Sequence, residues 1–316
     1  MRIDSIYDKK VLNRRITGMS AMLLPFEADG SIAFKAYRQL LRDTVNAGLT
    51  PAVNMDTGYA NLISPDDKRA ILELTQAELG GHPFIAGVFI EGGTGDVATE
   101  YRAGIREVTR YGATPILFQT SRTHGMSPSA LAQTYRDGVA ETDTAYAFEL
   151  GRVFAPNGEI WSDDAFVAIL EIPAIKGAKH SSLDRLTELR RLALRDRIRP
   201  DFKVLTGNDL GIDMVEYGSD YLLGLATFSP ETFAKRDAHW EAGSAEYFAV
   251  SDALQLLGNI AFRTPVPAYK HSAAWFLYLQ GRIPTPLTHP GSPARPDWEP
   301  EILRMCAQRC GIELVR

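Results

Sequence analysis

Long apolar runs are missing from this chain of 316 residues. None approaches the roughly 20 residues that a membrane-spanning helix requires, and the N-terminal segment 1–8 lacks the apolar core of a signal peptide. Cysteine is scarce, because only Cys306 and Cys310 are present. Their spacing is typical of two thiols on one helix face rather than of a disulfide or a metal site. We therefore expect a cytoplasmic protein that has no membrane partner.

An excess of positive charge is also missing, since the formal net charge is −5. This balance argues against nucleic acid or an anionic membrane surface as a partner. The six histidines lie far apart and show no metal-ligand spacing. No glycine-rich dinucleotide motif follows the first apolar segment. The sequence thus predicts a protein that uses neither a metal ion nor another cofactor.

The sequence does contain a regular alternation of apolar segments and amphipathic helices up to about residue 227. Eight apolar segments have the length and composition of buried strands. They are 16–24, 50–55, 84–90, 114–118, 145–150, 174–179, 203–206 and 221–225. Serines at 64, 127, 162 and 229 precede a proline or an aspartate, as at helix starts. Eight βα units predict an α/β fold, a (β/α)8 TIM barrel over residues 1–227, with a doubly wound open sheet as the alternative.

The alternation stops after the eighth unit. Segments 230–242, 245–262, 267–280 and 300–310 have helical patterns, and a proline-rich stretch separates the last two. We expect residues 228–316 to form a C-terminal helical appendix packed on the barrel.

Lys179 is the most informative residue. It ends the sixth strand, and residues near the carboxyl ends of barrel strands carry the chemistry in this architecture. Alternation of side chains along the strand places Ile175, Gly177 and Lys179 on one face and Lys176 on the other. Desolvation would lower the pKa of Lys179 and make it a nucleophile that forms a Schiff base with a carbonyl compound. The alternative is a lysine that extends its ammonium into solvent.

Glu149 ends the fifth strand, next to the sixth. It is interpreted as a general acid/base beside Lys179, or alternatively as an ion-pair partner of Lys179 or Arg152. Asp209 is predicted to cap a helix over residues 210–217. His124 is predicted to be an exposed loop histidine.

Five segments, in this order, resemble the dihydrodipicolinate synthase / N-acetylneuraminate lyase family of Schiff-base aldolases. They are 25–32, 56–64, 175–182, 205–209 and 264–270. The resemblance places Lys179 at the Schiff-base position. It implies that Asp56, Thr57, Gly58, Gly207 and Arg152 bind the substrate. It also implies a cofactor-independent homo-oligomer, a tetramer or a dimer.

The sequence departs from the family pattern at several positions. Glu149 stands where the family has a proton-relaying tyrosine, and Ile116 and Leu117 replace a tyrosine pair that many members carry. Asp56 replaces a threonine in the loop that binds the carboxylate of pyruvate in pyruvate-dependent members. An aspartate there would repel pyruvate unless its charge is neutralised or turned away.

These features together suggest a class I lyase of the aldolase or dehydratase type. Lys179 would form an iminium ion, Glu149 would transfer the proton, and backbone amides near Thr57 and Gly58 would bind a polar group. The expected substrate is a small oxygenated carbonyl compound. Two alternatives are a carbonyl-binding or regulatory barrel that has lost the family's tyrosine relay, and a metal-dependent barrel enzyme.

Overall fold

Eight parallel strands close into a barrel in the structure, a computed structural model that describes residues 9–316. The N-terminal segment 1–8 considered above lies outside the described residues. The strands are β1 (Gly18–Ala21), β2 (Thr50–Val53), β3 (Ile85–Val88), β4 (Thr114–Phe118), β5 (Ala145–Leu150), β6 (Ile175–Ser181), β7 (Lys203–Thr206) and β8 (Asp220–Leu223). Each strand pairs with its neighbours in the chain, and β8 pairs with β1. The predicted TIM barrel is confirmed, and the open sheet is wrong.

The helices form a ring around the barrel and a group beyond it. They are α1 (Phe34–Asn46), α2 (Pro65–Leu79), α3 (Val97–Thr109), α4 (Pro128–Gly138), α5 (Asp163–Leu170), α6 (Arg185–Ile198), α7 (Pro230–Glu241), α8 (Glu246–Ala261), α9 (Tyr269–Leu279) and α10 (Glu299–Arg309). A 3-10 helix over Ile212–Tyr217 takes the place of an α-helix after β7. Because α7 packs against α1 and β1, it closes the ring as a barrel helix. The added C-terminal helices are therefore α8, α9 and α10. None of the helices within residues 9–316 combines the length and the apolar character of a membrane-spanning segment.

Local capping explains where several of these helices begin. The hydroxyl of Ser64 accepts a hydrogen bond from the amide of Asp67, and the Asp67 carboxylate accepts one from the amide of Ser64. Ser127 and Ser162 also cap their helices through the side chain. The cap predicted at Ser229 is absent, because its hydroxyl instead lies in a hydrogen bond with the Thr232 hydroxyl.

Two apolar layers follow from the alternation of side chains along the strands. The inner layer fills the barrel and includes Met19, Ala52, Phe118, Phe148 and Leu205. The outer layer lies between the strands and the helices and is much larger. Every strand side chain therefore points either into the barrel or toward the helices, and this direction decides whether it reaches the candidate site.

Candidate active site

Lys179 lies on the inner side of β6, in register with Phe148 of β5 and Leu205 of β7. Its side chain is buried, and its Nζ lies 4.4 Å from the centre of the Phe148 ring. Burial lowers the pKa of Lys179 to about 8, although the carboxylates of Asp209 and Asp56 act in the opposite direction. A fraction of this amine is therefore unprotonated at neutral pH and is able to attack a carbonyl carbon.

Gly207, which the resemblance implies in substrate binding, lies against Lys179. A Cβ atom at this position would come within 2.7 Å of the Cε atom of Lys179 and would collide with the hydroxyl of Ser181. Gly177 shares the face of Lys179 but leaves no space beneath the lysine, because a Cβ there would meet Lys203 and Tyr146. The space beside the amine thus depends on Gly207.

Ser181 follows Lys179 by two residues and was not predicted. Its hydroxyl is buried and has no hydrogen-bond partner among the described residues. A buried hydroxyl without a partner is unfavourable unless a ligand or water supplies one. Only the alternation of the strand could have indicated this residue, because Ser181 shares the parity of Lys179.

Asp209 is a second unpredicted member of the site. Its carboxylate is buried and accepts a hydrogen bond of 2.7 Å from the amide of Leu225. Burial raises the pKa of Asp209 to about 7, and the charge of Lys179 opposes this rise. The predicted capping role is wrong, because the helix of this segment begins only at Ile212, after Gly211. Asp209 and Lys179 therefore share one buried electrostatic environment.

The Asp56-Thr57-Gly58 loop forms a 3-10 turn after β2. The Oδ2 atom of Asp56 lies 2.9 Å from the Nζ of Lys270 and accepts a hydrogen bond of 3.0 Å from the hydroxyl of Tyr269. That hydroxyl is also 2.8 Å from the hydroxyl of Thr57. The amide of Gly58 is occupied by an internal hydrogen bond to Met55, so it does not serve as the predicted substrate donor.

Tyr269 and Lys270 come from α9, far along the chain, and both are buried. The aromatic ring of Tyr269 stacks on Phe262 at 4.3 Å. The charge of Asp56 is thus neutralised by a lysine of the C-terminal helices. The sequence offered one signal for the burial of Lys270, namely its position beside apolar residues in segment 264–270.

Glu149 does not lie beside the amine of Lys179. Because Phe148 faces the barrel interior, alternation turns Glu149 toward the helices. There it pairs with Arg191 of α6 and with His180. Both interpretations of Glu149 are therefore wrong: it is neither placed to exchange a proton at Lys179 nor paired with Lys179 or Arg152.

The remaining predicted residues lie away from Lys179. Arg152 is exposed in the turn after β5 and is not brought to the site. His124 is partly buried rather than exposed, and its Nε2 atom donates a hydrogen bond to the carbonyl of Asn157. Within residues 9–316, no cluster of three or more histidine, cysteine or acidic side chains is suited to hold a metal ion.

Comparison with known proteins places the chain among its relatives. The 4-hydroxy-tetrahydrodipicolinate synthase of a Nostoc species is 26% identical over 217 residues, which are 67% of this chain and 70% of the relative. The enzyme of the same name from Kosmotoga olearia is 22% identical over 306 residues, 93% of this chain and 97% of the relative. At this low identity the chain is similar to the dihydrodipicolinate synthase family. No family model matches it.

Solved structures of the dihydrodipicolinate synthase family share the fold. One example is the chloride-inhibited dihydrodipicolinate synthase from Acinetobacter baumannii complexed with pyruvate. It superposes with a TM-score of 0.79 at 19% identity, over 95% of this chain and all of that one. At 19% identity this likeness shows a shared fold and nothing further about the site.

Proposed function

We propose that this chain is a divergent member of the dihydrodipicolinate synthase family and a metal-independent lyase of the class I aldolase type, in which Lys179 forms a Schiff base. The observation that carries the proposal is a buried lysine on the inner face of a barrel strand, with a lowered pKa. Its amine would add to a carbonyl carbon to give a carbinolamine, which loses water to give an iminium ion. The iminium ion accepts the electron pair released when a bond at the adjacent carbon breaks.

Asp209 is proposed as the proton-transfer group in place of Glu149. A carboxyl group with a pKa of about 7 both donates and accepts a proton near neutral pH. The carbinolamine oxygen needs a proton to leave as water, and the adjacent carbon needs one when the product is released. The unpartnered hydroxyl of Ser181 is proposed to hydrogen-bond the same oxygen, because it lies on the same face as Lys179.

The substrate is proposed to be a small carbonyl compound that carries hydroxyl groups. The ion pair of Asp56 and Lys270, with the hydroxyls of Tyr269 and Thr57, offers both donors and acceptors without a large net charge. The repulsion of pyruvate predicted for Asp56 is weakened, since the ammonium of Lys270 neutralises the carboxylate. Pyruvate therefore belongs in the test panel, as do sugar-derived aldehydes and ketones.

Borohydride trapping tests this function directly. The protein is incubated with 2-oxo acids and sugar-derived carbonyl compounds, reduced, digested and mapped by mass spectrometry. We expect an adduct on Lys179 that disappears in Lys179→Ala and persists in the control Lys176→Ala, whose lysine lies at the other end of β6. An adduct on Lys270, or ligand binding without any trapping, would overturn the proposal, and the second result would indicate a binding protein.

The assembly and location predicted above also stay proposals. A tetramer or dimer is to be checked by light scattering of the purified chain, and the cytoplasm by fractionation of the source cells.

A further inference from the structure

A chain of polar side chains runs along the outer face of β5 and β6, directly behind the candidate site. We call Arg191, Glu149, His180 and Ser182 the outer polar network. The carboxylate of Glu149 lies 2.7 Å from Nη2 of Arg191 and 2.6 Å from Nδ1 of His180. The Nε2 atom of His180 lies 2.6 Å from the hydroxyl of Ser182. The network thus joins α6, β5, β6 and the turn that follows β6.

The network is almost completely shielded from water. Glu149 and Arg191 are 0% exposed and His180 is 1% exposed. Although burial alone would raise it, the pKa of Glu149 is lowered to about 2 by His180 and Arg191. Glu149 also accepts a hydrogen bond of 2.8 Å from the amide of Trp161. Such a buried carboxylate is stable only while its partners stay in place.

The order serine, histidine and carboxylate also occurs in serine hydrolases. Two observations argue against that chemistry here. The hydroxyl of Ser182 already accepts a hydrogen bond from the amide of Asp184, and His180 is too buried to meet a substrate. Moreover, Arg191 donates hydrogen bonds to both oxygens of the Glu149 carboxylate. In a serine hydrolase that carboxylate would instead stabilise a histidinium ion. A structural link to the neighbouring site fits these contacts better.

That link follows from the register of the strands. Phe148 pairs with Lys179, and the next pair along the ladder is Glu149 with His180. A shift of the β5 backbone against β6 that separates Glu149 from His180 would therefore also move the ring of Phe148 relative to the amine of Lys179. The inner contact keeps water away from the amine, and the outer contact holds the two strand ends together.

We propose that Glu149, His180 and Arg191 are positioning residues for Lys179, which keep its amine against Phe148 and out of water. This inference rests on the proposed function for its consequence in catalysis. The position of the amine is itself measurable without a substrate.

Other charged groups face the network and have to stay constant in the test. Asp163 pairs with Arg191 at 2.7 Å, while Asp184 and Glu188 lie within the electrostatic range of His180. On the inner face, Asp209 and Asp56 act on Lys179. None of these five carboxylates is altered by the substitutions below.

The test measures the ionisation of Lys179 by competitive labelling with acetic anhydride across pH 6 to 11, mapped by mass spectrometry. In Glu149→Gln and His180→Gln we expect water to reach the amine and the midpoint of labelling to rise by about one pH unit. That shift equals a roughly tenfold loss of free amine at pH 7. Ser127→Ala is the matched control, because it removes the cap of α4, and the hydrogen bonds of the Ser127 hydroxyl go to Ala130 and Ser129 and not to the network.

The outcomes separate this inference from the proposed function. A lower melting temperature with an unchanged labelling midpoint in both glutamine variants would overturn the positioning role, because the control Ser127→Ala should show the same result. A shifted midpoint supports the role even when the wild-type chain traps no carbonyl compound, which would refute only the Schiff-base proposal. Should Glu149→Gln not fold, His180→Gln carries the test alone, because it leaves the Glu149–Arg191 pair intact.

Discussion

The pH dependence of adduct formation is the sharpest test of the candidate site. With a pKa of about 8, Lys179 is about 10% unprotonated at pH 7, against about 0.03% for an ordinary lysine with a pKa near 10.5. The difference corresponds to a roughly 300-fold larger supply of nucleophile. The rate of adduct formation should therefore rise about tenfold between pH 6 and 7 and level off above about pH 8.

The assay follows intact mass during trapping with cyanoborohydride at saturating carbonyl compound. Lys176 serves as the internal reference, because its ammonium lies on the other face of β6 and donates to the carbonyl of Pro173. A rate that keeps rising tenfold per pH unit up to pH 10 would contradict the lowered pKa of Lys179, since it would show an unperturbed amine. Equal labelling of Lys176 and Lys179 at pH 7 would refute it as well.

Three further predictions concern the surroundings of the amine. Asp209→Asn should still form the adduct, although more slowly, and should slow turnover by about 10²- to 10⁴-fold; an unchanged kcat would remove Asp209 from the mechanism. Lys270→Met should destabilise the fold by about 1 to 3 kcal/mol in urea unfolding, because the partly buried carboxylate of Asp56 loses its counter-charge and keeps only the hydrogen bond from Tyr269, and adding Asp56→Asn should restore most of the loss. Treatment with EDTA should leave turnover unchanged, whereas loss of activity that zinc or magnesium restores would contradict the lysine mechanism.

The same pKa has a consequence for stability. The folded state binds the Lys179 proton less tightly than the unfolded state, so the unfolded chain carries more protons between about pH 8 and 10.5. The destabilisation by this lysine is complete below about pH 8 and is relieved as the pH rises through that window. As the pH rises from about 8 to 10.5, the free energy of unfolding of the wild type should increase by about 3 kcal/mol relative to that of Lys179→Met. A constant difference across this range would contradict the assigned burial.

The fold was predictable because its signals are local. Strand segments stood out as short apolar runs, and β4, β5 and β7 begin and end where the sequence predicts. The end of β1 was overestimated, because Leu23 and Leu24 continue the apolar run as buried residues after strand pairing has stopped. Burial alone therefore predicts the existence of a strand better than its ends.

The site was predictable only where a single strand determines it. The parity of Lys179 came from β6 itself, but Glu149 was placed by its proximity in sequence to the strand end. Applying the same alternation to β5 would have shown that only one of Phe148 and Glu149 faces inward. The pairing of Lys270 with Asp56 could not be predicted, because it depends on how the C-terminal helices pack on the barrel.

The pairing of α9 with the loop after β2 also sets an order of events during synthesis. Tyr269 follows Asp56 by 213 positions in the chain. At about 5 to 20 residues per second, a ribosome needs about 10 to 40 s to cover that distance. During this interval the carboxylate of Asp56 at the mouth of the barrel has no ammonium partner, because Lys270 has not yet been synthesised. Assembly of the mouth is therefore among the last steps of biogenesis, and a chain cut short before α9 would lack it.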